Sequence, residues 1–320
     1  MTTALIVTGV RAEACDVLSF ELRDPDGKPL APFSPGAHLE IDVPTAHGPG
    51  LIRHYSISSD WRDTDHYVVT VARAAGSRGG SIAMHHDVRV GTTLEVRGPR
   101  NHFPLDTEAE SFRFIAGGIG ITPIMSMVRW CIANNKSWSL LYCARSKNRA
   151  AFYDQLSSMT EHVRFHFDDE HGAPPNIAAE LGQLDPRDHV YCCGPTPLMD
   201  RVREHCADRD PDSVHFEWFS ADPSPQLTES QTGEFDIVLR RRGARAVVPP
   251  DRSILDILEE LGVDMPNSCR EGVCGTCETT VCAGEVDHRD HVLTPSERAA
   301  NKTMMVCVSR AASATLELDI

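Results

Sequence analysis

The sequence lacks any long apolar segment. Hydrophobic residues make up 41% of its 320 residues, but no uninterrupted run approaches the ~20 residues that span a bilayer. The N-terminus, which begins Met-Thr-Thr-Ala-Leu-Ile-Val, also lacks the basic start and apolar stretch of a secretory signal peptide. There is no internal repeat and no low-complexity tract. The composition is therefore typical of a soluble globular protein with two or three domains.

Basic residues are also scarce. The chain has 31 Lys and Arg against 46 Asp and Glu, and its formal net charge is −15. An excess of negative charge on this scale disfavours direct binding to nucleic acid or to an anionic membrane. It is compatible with a basic protein partner, and equally with a surface that is simply well solvated.

Cysteine, by contrast, is abundant. Four of the 11 cysteines follow the spacing C-x4-C-x2-C plus a fourth cysteine after 29 intervening residues: Cys269, Cys274, Cys277 and Cys307. This spacing is typical of a plant-type [2Fe–2S] cluster, which four thiolates hold. A structural zinc site with four cysteine ligands is the alternative, although such sites usually pair two short C-x2-C units.

The rest of the cysteine pattern supports the same interpretation. Gly272 and Gly275 allow the loop backbone to wrap closely and to turn its N–H groups toward the sulfurs. The length of the chain, its odd number of cysteines and the cluster spacing indicate a reducing cytoplasm rather than a disulfide framework. Most of the other seven cysteines, including Cys131 and Cys282, are expected to be small buried hydrophobic residues.

Residues 1–107 are predicted to be all-β, with short strands that form a small antiparallel barrel or sandwich. Turns rich in Gly, Pro and Asp separate alternating apolar runs. These runs are Ala4–Val10, Val17–Leu22, His38–Val43, His66–Ala72 and Thr93–Val96.

Two motifs in this region carry chemistry. One is the R-x-Y-S sequence Arg53-His54-Tyr55-Ser56. The other is the glycine-rich turn at residues 76–81, followed by a short predicted helix at 82–87. Such a turn presents free N–H groups to a phosphate, and Arg78 and Ser81 would add hydrogen bonds. Taken separately, the first motif arises by chance and the second is most often only a turn.

Residues 108–220 are predicted to alternate between strands and helices, as in a parallel sheet that binds ligands at the carboxyl ends of its strands. A glycine loop, Gly117-Gly118-Ile119-Gly120-Ile121-Thr122-Pro123, separates the first strand from the first helix. The predicted strands are Ser111–Ala116, Ser139–Cys143 and Val190–Cys193, and the predicted helices are Ile124–Asn134 and Pro197–Cys206.

The glycine loop does not match the G-x-G-x-x-G fingerprint, so by itself it could be a simple helix-entry turn. No acidic residue follows the second strand to hold a ribose 2′-hydroxyl. Arg145, Ser146 and Lys147 stand there instead, and two cations with a hydroxyl favour a 2′-phosphate, as in NADPH.

A polar, proline-containing segment at 221–233 is predicted to be a linker, and residues 234–320 to be an α+β ferredoxin-like domain. Its predicted elements are a hairpin of Phe235–Arg240 and Ala246–Val248, a helix at Ser253–Leu261, a strand at Glu278–Ala283, and a strand at Met304–Val308 that delivers Cys307. The arginine run at 240–242 is interpreted as an exposed turn rather than a docking site.

With both motifs, the glycine loop and the cysteine spacing in this order, the whole chain resembles the ferredoxin–NADP reductase superfamily. Within it, the chain is similar to the phthalate dioxygenase reductase family, which includes the reductase subunits of vanillate-type O-demethylases. The resemblance implies a flavin barrel, a nicotinamide domain and a ferredoxin domain. It also implies FMN rather than FAD and a preference for NADH. The cations at 145–147 point the other way, so NADPH remains an alternative.

The resemblance assigns residues to the flavin. Arg53, Tyr55 and Ser56 would line it, with Ser56 near N5, and His54 lies within the same motif. The strand Val71-Ala72-Arg73 would run beside the ring, and Arg78, Gly79, Gly80 and Ser81 would hold the phosphate. Phe219 would cover the ring; the alternative is that Phe219 is an ordinary core residue.

The resemblance also assigns residues to the nicotinamide cofactor. Gly118, Ile119 and Gly120, in the loop that starts at Gly117, would contact the pyrophosphate. Thr122 and Pro123 would lie where nicotinamide meets flavin, opposite the turn of Cys193, Gly194 and Pro195. Ser56, Thr122, Cys193 and Phe219 are the catalytic candidates, and Arg145 and Ser146 lie where a 2′-substituent would bind.

The three predicted sites define an electron path. A nicotinamide gives two electrons as hydride, a [2Fe–2S] cluster accepts one at a time, and a flavin does both, so the flavin stands between them. This path needs no acid–base pair, and none of the 15 histidines is assigned a catalytic role. The family resemblance implies a separate Rieske-type oxygenase or demethylase as partner. A cytochrome P450 partner and a redox-sensing regulatory protein are the alternatives, and turnover of cytochrome c with NADH would exclude the sensor.

Overall fold

The structure is a computed structural model that describes residues 2–45, 50–74, 79–219 and 233–320. The chain divides into two compact units, Met1–Glu217 and Trp218–Ile320. The boundaries at 107, 220 and 233 between three domains and a linker stay predictions, and most of that linker lies outside the described residues. Within the described part of the chain, no helix is both long and apolar enough to cross a membrane.

The first sheet of the N-terminal unit is six-stranded and entirely antiparallel, in the order β4-β3-β6-β1-β2-β5. A bridge between Ile57, just after β4, and Val69 of β5 brings the two edge strands together. The sheet is thus strongly curled, as the predicted antiparallel barrel requires. Its strands are β1 Thr2–Ala14, β2 Val17–Arg23, β3 His38–Val43, β4 Leu51–Ser56, β5 Tyr67–Ala72 and β6 Thr93–Arg100.

Strand alternation fills the inside of this curled sheet. Leu39, Ile41 and Val43 of β3 are fully buried in its core, because every second side chain of a strand points to the same face. The short helix α1, Gly80–His86, contributes Ala83 and Met84 to the same core. Helix α1 therefore starts two residues before the helix predicted at 82–87.

The second sheet is five-stranded and parallel, in the order β11-β10-β7-β8-β9. Its strand–helix alternation confirms the predicted α/β class. The elements are β7 Ser111–Gly117, α2 Ile121–Ala133, β8 Ser137–Ala144, α3 Tyr153–Leu156, β9 Val163–Phe167, α4 Asp168–His171, α5 Ile177–Leu181, β10 Asp188–Cys193, α6 Thr196–His205 and β11 Val214–Glu217.

Helix α2 fastens the curled sheet to the parallel sheet. The Ser126 hydroxyl accepts the backbone N–H of Gly36 at 3.0 Å, and Arg129 Nε donates to the Ser58 carbonyl at 3.3 Å. Gly36 has a φ of +92°, and a Cβ there would lie 1.9 Å from the Phe103 carbonyl oxygen. The approach is thus so close that only glycine fits at residue 36.

The C-terminal unit is α+β, with a mixed five-stranded sheet in the order β13-β12-β18-β14-β16 and a two-stranded sheet of β15 and β17. Helix α7 starts with a capping box between Ser253 and Asp256. The elements are β12 Phe235–Leu239, β13 Ala244–Val248, α7 Ile254–Glu260, β14 Glu278–Ala283, β15 Val286–Asp287, α8 Pro295–Ala300, β16 Thr303–Met305, β17 Arg310–Ala311 and β18 Thr315–Leu318.

Two predictions about this unit can be compared with the structure. The strand predicted at Met304–Val308 is wrong in its second half: β16 ends at Met305, whose carbonyl accepts the N–H groups of Val308 and Ser309 in a turn that carries Cys307. The arginine run lies in the predicted turn between β12 and β13, where Arg240 pairs with Glu317 and Arg241 with Asp319.

Candidate functional site

The glycine loop connects β7 to α2 through one short 3₁₀ turn, Gly118–Gly120. Pro123 lies in the first turn of α2, as its sequence position predicted, and Thr122 lies in the same turn because the helix starts at Ile121 rather than at Ile124. The Thr122 hydroxyl is buried and donates to the Ile119 carbonyl at 2.9 Å, which fixes the loop. Tyr142 donates to the Gly118 carbonyl at 3.2 Å. The loop is thus held by its own hydrogen bonds, and its N–H groups precede a helix, as an anion site requires.

The glycine loop and the Cys193–Pro195 turn pack directly on each other at the carboxyl ends of β7 and β10. A Cβ on Gly117 would lie 2.5 Å from Pro195 Cδ, one on Gly120 would lie 2.1 Å from the Cys193 carbonyl oxygen, and one on Gly194 would lie 2.9 Å from Gly117 Cα. Glycine is required at all three positions because two backbones touch there. The structure thus brings together two segments that the sequence analysis assigned to one cofactor.

Arg53 of β4 lies against the start of α1. A Cβ added to Gly80 would lie 2.4 Å from Arg53 Nε, and Gly79 has a φ of +97°. Arg53 Nη1 also donates to the Ile52 carbonyl at 2.7 Å. The guanidinium is therefore placed beside the backbone that the sequence analysis assigned to the flavin phosphate. Arg78 of that predicted loop lies outside the described residues.

Tyr55 is the second flavin candidate on β4. Its hydroxyl is buried, and no described residue is a hydrogen-bond partner for it; burial raises the pKa of this phenol. A buried donor without a partner normally has a ligand or water beside it, so Tyr55 fits a bound flavin. Ser81, predicted to contact the phosphate, accepts the Ala74 N–H at 3.2 Å.

His54 and Arg73 have other neighbours. His54 lies on the face of β4 opposite Arg53 and Tyr55, with its Nε2 4.0 Å from Glu40 Oε2. Arg73, just after β5, forms an ion pair with Asp16, which also pairs with Arg149 at 3.3 Å. Their predicted roles at the cofactor stay predictions, and each side chain has an alternative, structural partner.

The strand Val71-Ala72 was predicted to run beside the flavin ring. Val71 is buried in the core of the curled sheet, while Ala72 is half-buried and packs against the core of the parallel sheet. The Val71 carbonyl bonds His85 Nε2 of α1 at 2.9 Å. These contacts fix the position of the strand, and its role at the flavin stays a prediction.

Ser56, Cys193 and Glu217 meet where β4 ends against the carboxyl ends of β10 and β11. Ser56 hydrogen-bonds the Glu217 carboxylate, and Cys193 lies opposite Glu217 in the register of β10 and β11. Burial raises the pKa of Glu217 from 4.5 to about 8, against the opposing effect of Ser56. Burial likewise raises the pKa of the Cys193 thiol, and Glu217 adds to that shift.

Glu217 is a candidate functional residue that the sequence analysis missed. Its Oε2 atom is buried and has no hydrogen-bond partner among the described residues. Because burial raises its pKa to about 8, the protonated form of the carboxyl is favoured, and the group can donate a proton as well as accept one. A buried carboxyl with a strongly shifted pKa beside two catalytic candidates is typical of a functional site.

The adenosine end of the predicted nicotinamide site is more acidic than the sequence analysis indicated. Arg145 and Ser146 follow β8, and Arg145 is exposed. Strand β9 runs beside β8 with Ala144 opposite Phe167, so Asp168 and Asp169 at the end of β9 adjoin Arg145. The Asp169 N–H donates to the Arg145 carbonyl at 3.1 Å. The backbone after β9 thus adjoins the backbone after β8, and the Asp168 carboxylate itself lies 3.7 Å from His166 Nε2.

The four predicted cluster ligands lie together in the C-terminal unit. Contacts join the sulfur of Cys269 to those of Cys274 and Cys307, and they lower the pKa of the Cys269 thiol; Cys277 also contacts Cys307. The Glu271 N–H donates to Cys269 Sγ at 3.3 Å. These contacts gather four thiolates in one place, as the four-cysteine ligand set of a [2Fe–2S] cluster requires, so the donor set fits the group.

In residues 2–45, 50–74, 79–219 and 233–320, no three His, Cys, Asp or Glu side chains are arranged as ligands of one metal ion. All 11 cysteines lie in the described residues, and none of them forms a disulfide bond. Cys131 is buried as expected, Cys282 is only half-buried, and Cys15 is exposed.

Phe219 is 45% exposed. The alternative that it is a core phenylalanine is therefore wrong. Its predicted role as the cover of the flavin ring stays a prediction, and Phe219 belongs to the C-terminal unit.

Comparisons with known proteins agree with this arrangement. A model of the oxidoreductase NAD-binding domain matches residues 114–204, which include the glycine loop and the Cys193–Pro195 turn. A model of the 2Fe-2S iron-sulfur cluster binding domain matches residues 237–312, which include all four cluster cysteines.

Similar proteins extend over nearly the whole chain. Phenoxybenzoate dioxygenase subunit beta of Ectopseudomonas oleovorans is 44% identical, over 99% of this chain and 97% of its own length. Phthalate dioxygenase reductase of Burkholderia cepacia is 42% identical, over 96% of this chain and 94% of its own.

Two solved structures also cover the entire chain. A crystal structure of an intact type IV self-sufficient cytochrome P450 monooxygenase matches with a TM-score of 0.92 at 39% identity; this chain spans 41% of its length. The structure of phthalate dioxygenase reductase, described as modular for electron transfer from pyridine nucleotides to [2Fe–2S], matches with a TM-score of 0.71 at 41% identity over 98% of its length. The chain belongs to the phthalate dioxygenase reductase family, and it is an oxidoreductase of the kind that uses NADH, FMN and a [2Fe–2S] cluster to supply electrons to an oxygenase.

Proposed function

We propose that this reductase serves a separate Rieske-type oxygenase or demethylase in the cytoplasm. The names of its relatives support this partner, since they attach those proteins to a phenoxybenzoate dioxygenase, a phthalate dioxygenase and a vanillate O-demethylase. A cytoplasmic location is supported by the seven cysteines outside the cluster set, none of which forms a disulfide bond, as expected of thiols in a reducing compartment.

One observation carries the redox part of the proposal: Ser56 of the curled sheet hydrogen-bonds Glu217 of the parallel sheet, beside Cys193. A bound FMN would supply the conversion between the two-electron chemistry of the nicotinamide and the one-electron chemistry of the cluster. Ser56 orients the Glu217 carboxyl. With its pKa raised to about 8, Glu217 holds a proton beside Ser56 and Cys193, the residues assigned to the contact of nicotinamide with flavin. The Oε2 atom of Glu217 and the whole of Cys193 are buried, which keeps water from these two groups.

The surrounding residues bind and orient. The contact of Gly117 with Gly194 brings two backbone turns together at the carboxyl ends of β7 and β10. The backbone N–H groups of Gly118–Gly120 then donate hydrogen bonds to a pyrophosphate. Arg53 beside Gly80 supplies a charge to the flavin phosphate. Thr122 and Pro123 shape the first turn of α2 next to the same mouth.

Cofactor content and turnover together test the proposal. Protein purified without oxygen should contain FMN, two irons and two sulfides per chain, and it should reduce cytochrome c continuously with NADH. FAD, or a single zinc in place of iron, would contradict the assignment. A redox sensor would be reduced once and then stop.

A cytochrome P450 partner is the second candidate, and one observation favours it. The structural match with a TM-score of 0.92 is to a self-sufficient P450 monooxygenase. The two partners are separated by measuring electron delivery from this chain to a purified Rieske-type oxygenase and to a purified bacterial P450. We expect the Rieske-type protein to be reduced faster, and faster reduction of the P450 would reverse the assignment.

A further inference from the structure

The loop between Cys269 and Cys274 packs against a second segment, residues 288–292, here called the support segment. Gly272 has a φ of +70°, and a Cβ there would lie 2.6 Å from Val308 Cγ2 and 3.1 Å from Asp290 Cα. The His291 N–H donates to the Gly272 carbonyl at 2.8 Å. The cluster loop is therefore in direct backbone contact with the support segment, with no space for a side chain between them.

A buried carboxylate gives the support segment its shape. Asp290 is 2% exposed, and its Oδ2 accepts the N–H groups of Val292 at 3.1 Å and Leu293 at 2.8 Å. The Ser309 hydroxyl donates to Oδ1 at 3.4 Å. Hydrogen bonds to a charged acceptor are about twice as strong as neutral ones. The backbone around Asp290 is thus fixed from inside the fold.

At His291, an aromatic contact holds the support segment. The indole of Trp218 stacks on the His291 ring, with centroids 4.6 Å apart and planes at 29°. Trp218 is only 7% exposed, and both residues belong to the C-terminal unit. The same residue, His291, therefore contacts Trp218 through its ring and Gly272 through its N–H.

Trp218 directly follows Glu217, whose carboxyl bonds Ser56. Consecutive residues thus contact the flavin candidate site and the support of the cluster loop. We propose that Trp218 is a positioning residue of the [2Fe–2S] loop: its ring holds His291, so that the His291 N–H keeps the Gly272 carbonyl in place. This inference rests on the proposed function, because that function assigns the cluster to the loop.

A purely structural role for Trp218 makes a different prediction. If the ring only stabilised the C-terminal unit, its loss would speed amide exchange throughout the unit, including Ile237 on the interior strand β12. A positioning role confines the effect to His291 and the cluster loop. Hydrogen exchange of individual amides separates the two cases.

The experiment compares holoprotein variants by hydrogen exchange and by the rate at which a chelator bleaches the cluster absorbance. We expect Trp218→Leu to speed exchange at the His291 amide and bleaching about tenfold, the effect of losing one aromatic contact, with Ile237 unchanged. Trp218→Phe should restore most of the protection. His291→Leu should speed bleaching to a similar extent, and the double variant should add little. Val247→Ala, at a 51% exposed position of the same unit, is the control and should match the wild type.

Unchanged exchange and bleaching in Trp218→Leu would overturn the inference, as would acceleration spread equally to Ile237. Either result would leave the proposed function standing, provided that the wild type contains iron and sulfide and reduces cytochrome c. A wild type without iron would instead contradict the proposed function itself.

Discussion

The Ser56 hydroxyl and the Glu217 carboxyl are hydrogen-bonded to each other, and they come from two different sheets. Ser56 ends the strand that carries the R-x-Y-S motif, and Glu217 ends the last strand of the parallel sheet. The bond therefore joins the predicted flavin side of the protein to the predicted nicotinamide side. It also places an acid with a raised pKa at the junction, and the first prediction follows from that acid.

Glu217→Gln should change how stability depends on pH. The pKa of Glu217 is about 8 in the folded protein against the ordinary 4.5, so between these values the unfolded chain releases a proton that the folded chain keeps. Wild-type stability should fall as pH rises from 4.5 to 8, by at most about 1.4 kcal/mol per pH unit from this group. Denaturant unfolding between pH 5 and pH 8 should give a smaller fall in the variant.

The exposed carboxylate of Glu95 provides the control, and Glu95→Gln should keep the wild-type pH dependence. An equal slope in Glu217→Gln and the wild type would mean that Glu217 ionises normally in the folded protein. Its assignment as a proton holder would then be withdrawn.

Gly120→Ala should damage the nicotinamide site. The new Cβ would lie 2.1 Å from the Cys193 carbonyl oxygen, so the two turns must separate. We expect a loss of about 1–3 kcal/mol in the free energy of unfolding and a weaker affinity for NADH. Gly9→Ala, whose Cβ would meet Glu21 at an ordinary 3.5 Å, should change neither. If Gly120→Ala bound NADH normally, the close contact of the two turns would not be needed for binding.

Cys274→Ser should separate the two halves of the electron path. NADH should still bleach the flavin at the wild-type rate in stopped flow, since the glycine loop and Glu217 lie in the other unit. Reduction of cytochrome c should fall to background, because the cluster loses a ligand. Cys282→Ser changes a free, half-buried cysteine outside the ligand set and should keep both activities. Continued reduction of cytochrome c by Cys274→Ser would place the cluster outside the path.

Asp168→Asn should shift cofactor preference toward NADPH. Asp168 directly follows the Ala144–Phe167 pair that ends the β8–β9 register, as Arg145 does on β8, so its charge would repel a 2′-phosphate bound after these strands. One exposed charge is worth up to about 1 kcal/mol, which corresponds to roughly a fivefold change in the ratio of kcat/KM for NADPH and NADH. Asp208→Asn, at an exposed position, should leave the ratio unchanged, and an unchanged ratio in Asp168→Asn would show that Asp168 does not select the cofactor.

Local patterns predicted the parts of the fold that depend on nearby residues. The C-x4-C-x2-C spacing and its glycines lie in one loop, and short alternating runs predicted the curled sheet. The strand predicted through Cys307 failed because Val306 and Val308 look like strand residues, whereas turn hydrogen bonds to Met305 end β16. The pattern of apolar residues along the sequence gives no information about these turn hydrogen bonds.

The missed parts of the site depend on contacts between distant segments. Glu217 is one acidic residue in an ordinary strand until β11 pairs with β10 and meets Ser56. Arg73 has Asp16 of the β1–β2 turn as an ion-pair partner, a contact that its neighbours in the sequence do not reveal, and its role at the flavin stays a prediction. Asp168 follows the third strand of its sheet, and only the parallel register brings it beside Arg145. One sequence without its tertiary contacts contains none of these pairings.

The contact of α2 with Gly36 has a consequence for the construction of chimeric reductases. Ser126 accepts the Gly36 N–H and Arg129 donates to the Ser58 carbonyl. If the parallel sheet were moved to another reductase without the curled sheet, α2 would therefore lose these two contacts. The segment to exchange is therefore the whole of residues 1–217. The splice should follow Glu217 directly, so that Trp218 stays with the ferredoxin domain, where it contacts His291.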